Sequence, residues 1–376
     1  MGDGRPVAAH TGSAPGRLDL LGGVADYAGA LVLEVPTRVT TTVTATPDDR
    51  LRVGDVEFTP GAVAELAGLP YGEIRARLAD VPRWTRYLIG VALVLVRHGV
   101  IGPPAVRLTV ASDVPSSLGV SSSAALEVAT ARALGADRSV DPLRLAVLCQ
   151  EAENEVVGAP CGVMDQVAVT VGTPGDVLPI LCRPASVEAG VPLPEGTEVV
   201  GWPSGAAHDV ADGAYARARA ASFMGRRMVE EATGQPVGWT SDLPDGSVAT
   251  LPDELGGAEF LDRFGGTDDH LTVVAPDVTY PVRAAASFGV DEHARSHVAL
   301  RLLRSGDAAG LAPLLAASHR AYSAMGLGHP ATDRIVAEAL ARPGVLAARV
   351  GGGGCGGTVV TVCRTGALDD VPGIIR

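Results

Sequence analysis

The sequence predicts an α+β protein with two lobes, and three observations carry that prediction. The chain has 376 residues and 47% hydrophobic content, which is enough for about two packed domains. Strand-like and helix-like segments mix through the first half, and a strand, a glycine loop and a second strand close the chain. The chain also lacks the long runs of like charge that are typical of disordered proteins. We place the domain division after residue 171, giving an N-terminal domain of residues 1–171 and a C-terminal domain of residues 172–376.

The predicted strands are rich in β-branched residues or alternate apolar and polar side chains. They cover residues 30–45, 105–112, 176–182, 197–202, 345–350 and 358–363. The predicted helices carry apolar residues at helical spacing. They cover residues 84–98, 122–134, 142–156, 214–233, 283–305, 308–325 and 333–341. Residues 234–257 are rich in glycine, proline and aspartate, which predicts a long surface connection.

The charge of the chain excludes some classes of partner. The net charge is −13, and a strongly acidic protein repels nucleic acid and anionic membrane surfaces. We therefore expect neither a nucleic-acid nor a membrane partner, and a monomer or weak dimer that binds small molecules. Met1 to Thr11 has no basic region followed by an apolar core, and no apolar run approaches the roughly 20 residues of a spanning helix. We expect a cytoplasmic protein.

The types of basic and sulfur-containing residues narrow the chemistry. All 30 basic residues are arginine, so the chain has no lysine for a Walker A loop, a protein-kinase strand or a PLP Schiff base. If the chain handles ATP, it must use glycine-rich backbone, a helix dipole, a metal and arginine. The five cysteines are scattered without a Cys-x-x-Cys pair, which indicates neither a zinc site nor a disulfide framework.

Residues 114–125 (VPSSLGVSSSAA) carry the strongest local signal. A strand ends, a loop of small residues follows, and a helix begins at the serines. Free N–H groups and the helix dipole make such a helix start an anion cradle, and small side chains let phosphate oxygens reach the backbone. An ordinary serine N-cap beside a flexible loop explains the same letters equally well.

Three further segments carry polar residues in apolar or glycine-rich surroundings. Residues 151–166 contain Asp165 near their end, and a carboxylate among apolar residues needs a partner or a function, although it can also cap a helix. Arg17 and Asp26 lie in a glycine-punctuated apolar stretch, which a strand with a surface ion pair would also explain. Residues 350–358 contain six glycines between two strands, more than a hairpin turn needs.

Taken in chain order, the four segments resemble the GHMP kinase superfamily, and residues 16–27 and 160–166 resemble its galactokinase branch. Several stretches are also similar to the kinase region of plant L-arabinokinases, including residues 223–228 and 322–328. The resemblance implies the two-lobe GHMP fold, with a ribosomal-protein-S5-like N-terminal domain and a ferredoxin-like C-terminal domain. It implies an ATP-dependent sugar kinase with Mg²⁺ that phosphorylates an anomeric hydroxyl.

The resemblance also assigns roles to residues. Asp165 matches the catalytic aspartate that accepts the proton of the sugar hydroxyl, and Arg17 matches the arginine that keeps it ionised. Ser123 and Glu153 match residues associated with Mg²⁺. The positions matched to nucleotide binding are Trp84, beside adenine, and Pro115, Ser117, Gly119, Ser121, Ser122, Ser123 and Ala124 of the phosphate loop. The positions matched to sugar binding are Arg17, Asp26, Gly162, Asp165 and Tyr215.

One departure bears on the substrate. Galactokinases carry a Glu-His pair, assigned to sugar hydroxyls, where this chain has Gly23 and Val24. Loss of acceptors should disfavour the matching hydroxyl, because an unpaired buried polar group is costly. L-Arabinose, which has the galactose ring without the exocyclic CH₂OH, is therefore the expected substrate. D-Galactose, another aldose, and a non-catalytic sugar and ATP sensor stay as alternatives. His208 is expected to be structural.

Overall fold

The computed structural model describes residues 9–206 and 213–376. His208 and the first eight residues lie outside these ranges, so their predicted roles are not addressed by the structure. The described chain divides into two compact units. Unit 1 consists of residues 9–16, Val39–Pro115 and Ser121–Val171, and unit 2 of Arg17–Arg38, Ser116–Val120 and the described residues from Gly172 onward. The predicted domain division after residue 171 stays a prediction.

Among the described residues, the strands are numbered in chain order. They are β1 (His10–Leu21), β2 (Leu31–Pro47), β3 (Leu51–Val53), β4 (Val56–Phe58), β5 (Val106–Ser112), β6 (Asp176–Leu181), β7 (Ser186–Val187), β8 (Val191–Pro192), β9 (Thr197–Pro203), β10 (Leu255–Gly256), β11 (Thr279–Tyr280), β12 (Val345–Val350) and β13 (Thr358–Arg364).

The α-helices follow the same order. They are α1 (Pro60–Gly68), α2 (Tyr71–Arg77), α3 (Arg83–Arg97), α4 (Ser122–Ala133), α5 (Pro142–Glu151), α6 (Met164–Val171), α7 (Ala214–Thr233), α8 (Gly257–Phe264), α9 (Val282–Arg304), α10 (Ala312–Ala324) and α11 (Pro330–Leu340). Within residues 9–206 and 213–376, no helix is both long and apolar enough to cross a membrane.

Unit 1 packs helices against one sheet. The second half of β2 pairs antiparallel with β5, with Val43 opposite Val110, and β5 pairs parallel with β3. α3 contributes an unbroken buried run from Leu88 to Leu95, and α4, α5 and α6 pack with it around one apolar core. This core fixes the starts of α4 and α6, where the predicted phosphate loop ends and where Asp165 lies.

The helix predicted over residues 142–156 is in fact two elements. α5 ends at Glu151, and a π-helical turn over Ala152–Val157 follows and stops at Gly158, whose φ is +78°. π-Helical turns widen the backbone and recur at functional sites. This one turns Glu153 into the buried part of unit 1.

Unit 2 contains a three-stranded antiparallel sheet, ordered β12-β13-β9, on which α10 and α11 pack. The first half of β2 pairs with β6, with Leu31 opposite Leu181. α7 and α9 pack side by side over a second apolar core that includes Phe288 and Tyr322. The glycine-rich segment connects β12 to β13, as predicted.

The prediction of a surface connection over residues 234–257 was wrong in part. Two short 3₁₀ turns, Thr240–Asp242 and Ser247–Thr250, lie in this stretch, and Thr240, Ser241 and Leu251 are buried. The Ser241 hydroxyl donates to the Ala28 carbonyl oxygen at 2.8 Å, which anchors the segment. Composition marks glycine and proline as turn formers but does not show where the turns dock.

Candidate functional site

The predicted phosphate loop has an unusual backbone. Ser117 and Ser121 have φ values of +58° and +60°, a left-handed conformation that non-glycine residues adopt rarely and mostly at functional sites. Ser121 precedes α4 but makes no capping hydrogen bond, and its buried hydroxyl has no partner among the described residues. An ordinary serine N-cap therefore does not explain Ser121. The N–H groups that begin α4 remain suited to an anion.

Arg17 is fastened to the loop segment of unit 2. Its backbone N–H donates to the Val120 carbonyl oxygen at 3.1 Å, and its Nη1 donates to the Gly119 carbonyl oxygen at 2.6 Å. Its Nε lies 3.1 Å from Glu34 Oε2, and both side chains are almost fully buried. Burial with a bound carboxylate keeps the guanidinium in one orientation beside the loop.

The glycine-rich segment lies against the same loop. A Cβ on Gly352 would be 2.8 Å from the Gly119 carbonyl oxygen, so a side chain there would push the two backbones apart. The Thr358 hydroxyl donates to the Leu118 carbonyl oxygen at 2.8 Å. This close approach explains why the β12–β13 connection needs glycine, as the sequence indicated. Cys355, at φ +55°, donates its N–H to the Leu327 carbonyl oxygen.

A buried charge network holds this region of unit 2 together. Asp19 and Arg349 are fully buried, and Arg349 Nη2 donates to Asp19 Oδ2 at 3.0 Å. The Gly352 N–H donates to the same oxygen at 2.9 Å, and the Gly23 N–H donates to Asp19 Oδ1 at 3.0 Å. Glu292, also fully buried, lies 3.6 Å from Arg349 Nη1.

The turn at Gly23 and Val24, the departure noted in the sequence, is buried against Tyr322. The Val24 N–H donates to the Tyr322 hydroxyl at 3.2 Å, and that hydroxyl donates to the Gly352 carbonyl oxygen at 2.6 Å. Val24 is 2% exposed and presents an apolar side chain. Sequence reasoning missed Arg349 and Tyr322 as site residues. The available signal was an arginine in the otherwise apolar strand that precedes the glycines.

Unit 1 contributes a cluster of acidic residues. Gln166 Nε2 donates to Glu153 Oε2 at 2.7 Å and to Glu127 Oε2 at 3.0 Å. Ser123, in the first turn of α4, hydrogen-bonds the Glu153 carboxylate. Ser123 and Glu153, predicted together as Mg²⁺ ligands, therefore meet in the structure.

Burial dominates the electrostatics of this cluster. It raises the pKa of Glu153 to about 7, and the Asp165 carboxylate adds to the increase, whereas the hydrogen bonds from Ser123, Cys161 and Gln166 oppose it. Burial, with the Glu153 charge, raises the pKa of Glu127 well above its ordinary value. Two buried carboxylates that share one amide donor resist simultaneous ionisation unless a cation compensates them.

Asp165 is the second residue of α6, inside its first turn, so it is not a cap residue. Its side chain is partly buried, and its charge acts on both Glu153 and Glu127. A carboxylate in a first turn is favoured by the helix dipole. Asp165 belongs to unit 1 and Arg17 to unit 2, and the predicted interaction between them stays a prediction.

The remaining predicted residues lie in both units. Trp84 is 49% exposed and lies over Gly54, where a Cβ would be 3.3 Å from its ring. In unit 2, Asp26 is buried and accepts from the Tyr27 N–H at 2.6 Å, and the Tyr27 ring meets the Tyr215 ring edge-on at 6.0 Å. Pro115, Ser122, Ala124 and Gly162 belong to unit 1, and Ser117 and Gly119 to unit 2.

Unit 1 contains a helix start suited to anions and a set of carboxylates, and unit 2 contains a buried arginine bound to its own loop segment. Phosphoryl transfer uses groups of these types. Comparison with known proteins agrees. Residues 86–173 match the family model of the GHMP kinases N terminal domain, and residues 299–372 match that of the GHMP kinases C terminal region. The chain belongs to the GHMP kinase family.

The relatives place the chain within that family. It is 32% identical to the galactokinase of Chloroflexus aggregans, over 95% of this chain and 84% of that protein. It is 31% identical to the L-arabinokinase of Arabidopsis thaliana over 93% of this chain, but it spans only 42% of that longer protein. The crystal structure of Lactococcus lactis galactokinase with galactose has the same fold, with a TM-score of 0.75, 21% identity and coverage of 98% of this chain and 88% of that one. The predicted fold class is confirmed, and the chain is an ATP-dependent sugar kinase of the galactokinase type.

The buried state of Glu153 predicts a pH dependence of stability. Its pKa is about 7 in the folded chain and 4.5 for an unperturbed glutamate, so between these values the folded state keeps a proton that the unfolded chain has lost. The stability that this group contributes is therefore fully present below pH 4.5 and is lost as pH rises through 7. With Gln in place of Glu153, the decrease in unfolding free energy between pH 5 and pH 8 should be smaller by about 2–3 kcal/mol in the ligand-free protein.

Urea denaturation from pH 5 to pH 8 measures this difference. Glu65→Gln, at an exposed position of α1, is the control and should leave the pH dependence of the wild type unchanged. Equal slopes for Glu153→Gln and the wild type would contradict the prediction.

The buried network predicts a large effect of Arg349. The variant Arg349→Met leaves Asp19 buried without its arginine and removes one of the two arginines beside Glu292, which keeps Arg295. Breaking a buried pair in this way costs about 3–5 kcal/mol of unfolding free energy. Arg342→Met removes a pair with the exposed Asp370 and should cost far less, because solvent screens such a pair. Denaturant titration of both variants checks the contrast, and similar losses would refute the assigned role of Arg349.

Proposed function

We propose that this kinase transfers the γ-phosphoryl group of ATP to the anomeric hydroxyl of L-arabinose. The observation that carries the choice of sugar is the turn at Gly23 and Val24. It offers no side-chain hydrogen-bond acceptor, and the Val24 N–H is already engaged by Tyr322. An apolar turn at the position that the family uses for sugar hydroxyls favours a sugar without the corresponding hydroxyl.

The stereochemistry of the sugar fits this argument. L-Arabinopyranose has the ring configuration of D-galactopyranose and lacks the exocyclic CH₂OH group. Binding D-galactose against Val24 would remove a hydroxyl from water without giving it a partner, which is unfavourable. The sequence identity to a plant L-arabinokinase over 93% of this chain supports the same choice.

We propose the following roles for the predicted catalytic residues. Asp165 accepts the proton of the anomeric hydroxyl as that oxygen forms its bond to the γ-phosphorus atom, and ADP leaves with the electron pair of the broken P–O bond. Arg17 neutralises charge on the transferring group and helps to keep Asp165 ionised. The supports are the place of Asp165 in a helix first turn and the anchoring of Arg17 to the phosphate loop.

We propose that Ser123 and Glu153 hold Mg²⁺. Their oxygens are of the type that Mg²⁺ prefers, and the crowding of Glu127, Glu153 and Asp165 favours a cation. No group of three or more His, Cys, Asp or Glu side chains suited to a metal occurs in residues 9–206 and 213–376. Mg²⁺ commonly takes only one or two protein carboxylates and completes its shell with water and substrate phosphates. The ion would neutralise phosphate charge.

We assign the nucleotide to the predicted phosphate loop. We assign the sugar to the segment that contains Arg17 and Asp26 and to α7. The phosphates would lie on the N–H groups that begin α4, with Pro115, Ser117, Gly119 and Ser121 to Ala124 around them, and Trp84 beside adenine. Asp26, Gly162 and Tyr215 would contact the sugar. A sugar kinase draws on ATP of the cytoplasm, so we place the protein there, as a monomer or weak dimer.

D-Galactose is the second candidate substrate, because galactokinases are among the relatives that this chain covers almost fully. An ADP-release assay with Mg-ATP decides between them, using L-arabinose, D-galactose, D-fucose, D-galacturonate and D-xylose. We expect kcat/KM for L-arabinose to exceed that for D-galactose by at least about tenfold, the cost of one unmet hydrogen bond. D-Fucose, which has a methyl group in place of the 6-hydroxymethyl group, separates the effect of the hydroxyl from that of size. A preference for D-galactose would refute the assignment of L-arabinose.

The variant Asp165→Asn distinguishes a catalyst from a non-catalytic sugar and ATP sensor. We expect turnover to fall by at least about 10²-fold, as for loss of a general base, while ATP and sugar still bind in calorimetry. Asp137→Asn, at an exposed position outside the predicted site, is the matched control and should keep full turnover. Wild-type turnover that survives Asp165→Asn would remove Asp165 from the catalytic role.

A further inference from the structure

The hydroxyl of Tyr322 occupies the space that a side chain at position 23 would need. A Cβ built on Gly23 would overlap this hydroxyl oxygen, and it would lie 3.0 Å from Tyr322 Cζ and 2.8 Å from Asp19 Oδ2. Gly23 also has a φ of +48°, so glycine is favoured by the backbone as well as by the space. The absence of a polar side chain at position 23 is thus coupled to the presence of Tyr322.

Tyr322 is held in place by contacts on several sides. Its hydroxyl donates to the Gly352 carbonyl oxygen at 2.6 Å and accepts from the Val24 N–H at 3.2 Å. Its ring meets Phe288 edge-on at 5.3 Å, and the Arg349 guanidinium lies 5.0 Å from the ring centroid. The side chain is fully buried, so a shift would open a cavity and leave two backbone groups unpaired.

We propose that Tyr322 determines the sugar specificity of this kinase through position 23. It is a positioning residue that does not itself need to touch the sugar. Tyr322 fills the volume from which a polar side chain at position 23 could reach a substrate hydroxyl. Its hydroxyl also accepts the hydrogen bond of the Val24 N–H and so holds Val24 in place. This inference rests on the proposed function, because position 23 is assigned to the sugar there.

Under this proposal, Tyr322 disfavours sugars with an additional hydroxymethyl group and does not affect sugars that lack it. A sugar with an additional hydroxymethyl group would meet Val24 and backbone groups that are already paired with Asp19 and Tyr322. A sugar without that group loses nothing. If space and an acceptor were restored at position 23, the discrimination should fall, and the change should appear in the sugar KM more than in the ATP KM.

The test is the double variant Gly23→Gln with Tyr322→Ala, compared with Tyr322→Ala alone. Truncating Tyr322 opens the space in both proteins, so they differ only in the side chain at position 23. The backbone strain of a side chain at φ +48° acts on both sugars alike and cancels in a ratio of the two substrates. Glutamine is chosen over glutamate because Asp19 Oδ2 lies so close to the Cβ position that a second carboxylate would be repelled. Relative to Tyr322→Ala, the double variant should raise the ratio of kcat/KM for D-galactose to that for L-arabinose about tenfold, one hydrogen bond in value.

A ratio that changes less than about twofold, with the wild type preferring L-arabinose, would overturn this inference and leave the proposed function intact, because one gained hydrogen bond should change the ratio more. A wild-type preference for D-galactose would overturn both. An equal increase in the KM values for sugar and ATP would also count against a role in sugar specificity.

A second measurement needs no activity. In a double-mutant cycle on unfolding free energy, Gly23→Ala should be strongly destabilising in the wild type and much less so in Tyr322→Phe, which lacks the hydroxyl. Gly99→Ala is the control for backbone strain alone, because Gly99 has a φ of +65° and open space at its Cβ position. Gly99→Ala should cost the same with and without the Tyr322 hydroxyl. Equal costs of Gly23→Ala in both backgrounds would overturn the steric coupling on which the inference depends.

Discussion

The buried ion pair between Asp19 and Arg349 is the interaction on which the arrangement of the Gly23 turn and the glycine-rich segment in unit 2 depends. Both side chains are excluded from water, and such a pair is tolerated only when its remaining hydrogen-bonding capacity is used. Asp19 uses that capacity on two backbone segments, the turn at Gly23 and the glycine-rich segment at Gly352. One carboxylate thereby sets the position of two motifs that lie near opposite ends of the sequence.

The glycine-rich segment in turn contacts the predicted phosphate loop. Gly352 approaches the Gly119 carbonyl oxygen closely, and Thr358 donates to the carbonyl of Leu118. Arg17, which lies in β1, donates to the Gly119 carbonyl oxygen of the same loop. The loop itself includes serines in left-handed conformations, which cost energy unless their surroundings fix them. These contacts supply the required constraint on Ser116–Val120, the part of the loop that belongs to unit 2.

The acidic cluster of unit 1 acts against stability rather than for it. Glu127 and Glu153 are buried side by side, which raises their pKa values and opposes folding at neutral pH. Residues that destabilise the ligand-free protein in this way are typical of sites whose missing partner is a ligand. Because the chain has no lysine, the groups available to compensate phosphate charge are arginine, backbone N–H groups and the cation proposed above.

The sequence by itself determined the fold class, most of the helices, the strands β2, β5, β6, β9, β12 and β13, and the glycine-rich connection, because hydrophobic period and glycine placement are local properties. It also indicated the segment of the predicted phosphate loop through its helix-start chemistry. It also showed that Gly23 and Val24 depart from the galactokinase pattern. Only the tertiary structure decided that Tyr322 fills the space above Gly23, that Arg349 joins the two motifs of unit 2, and that a π-helical turn directs Glu153 inward. These features depend on contacts between residues distant in sequence, which no local pattern encodes.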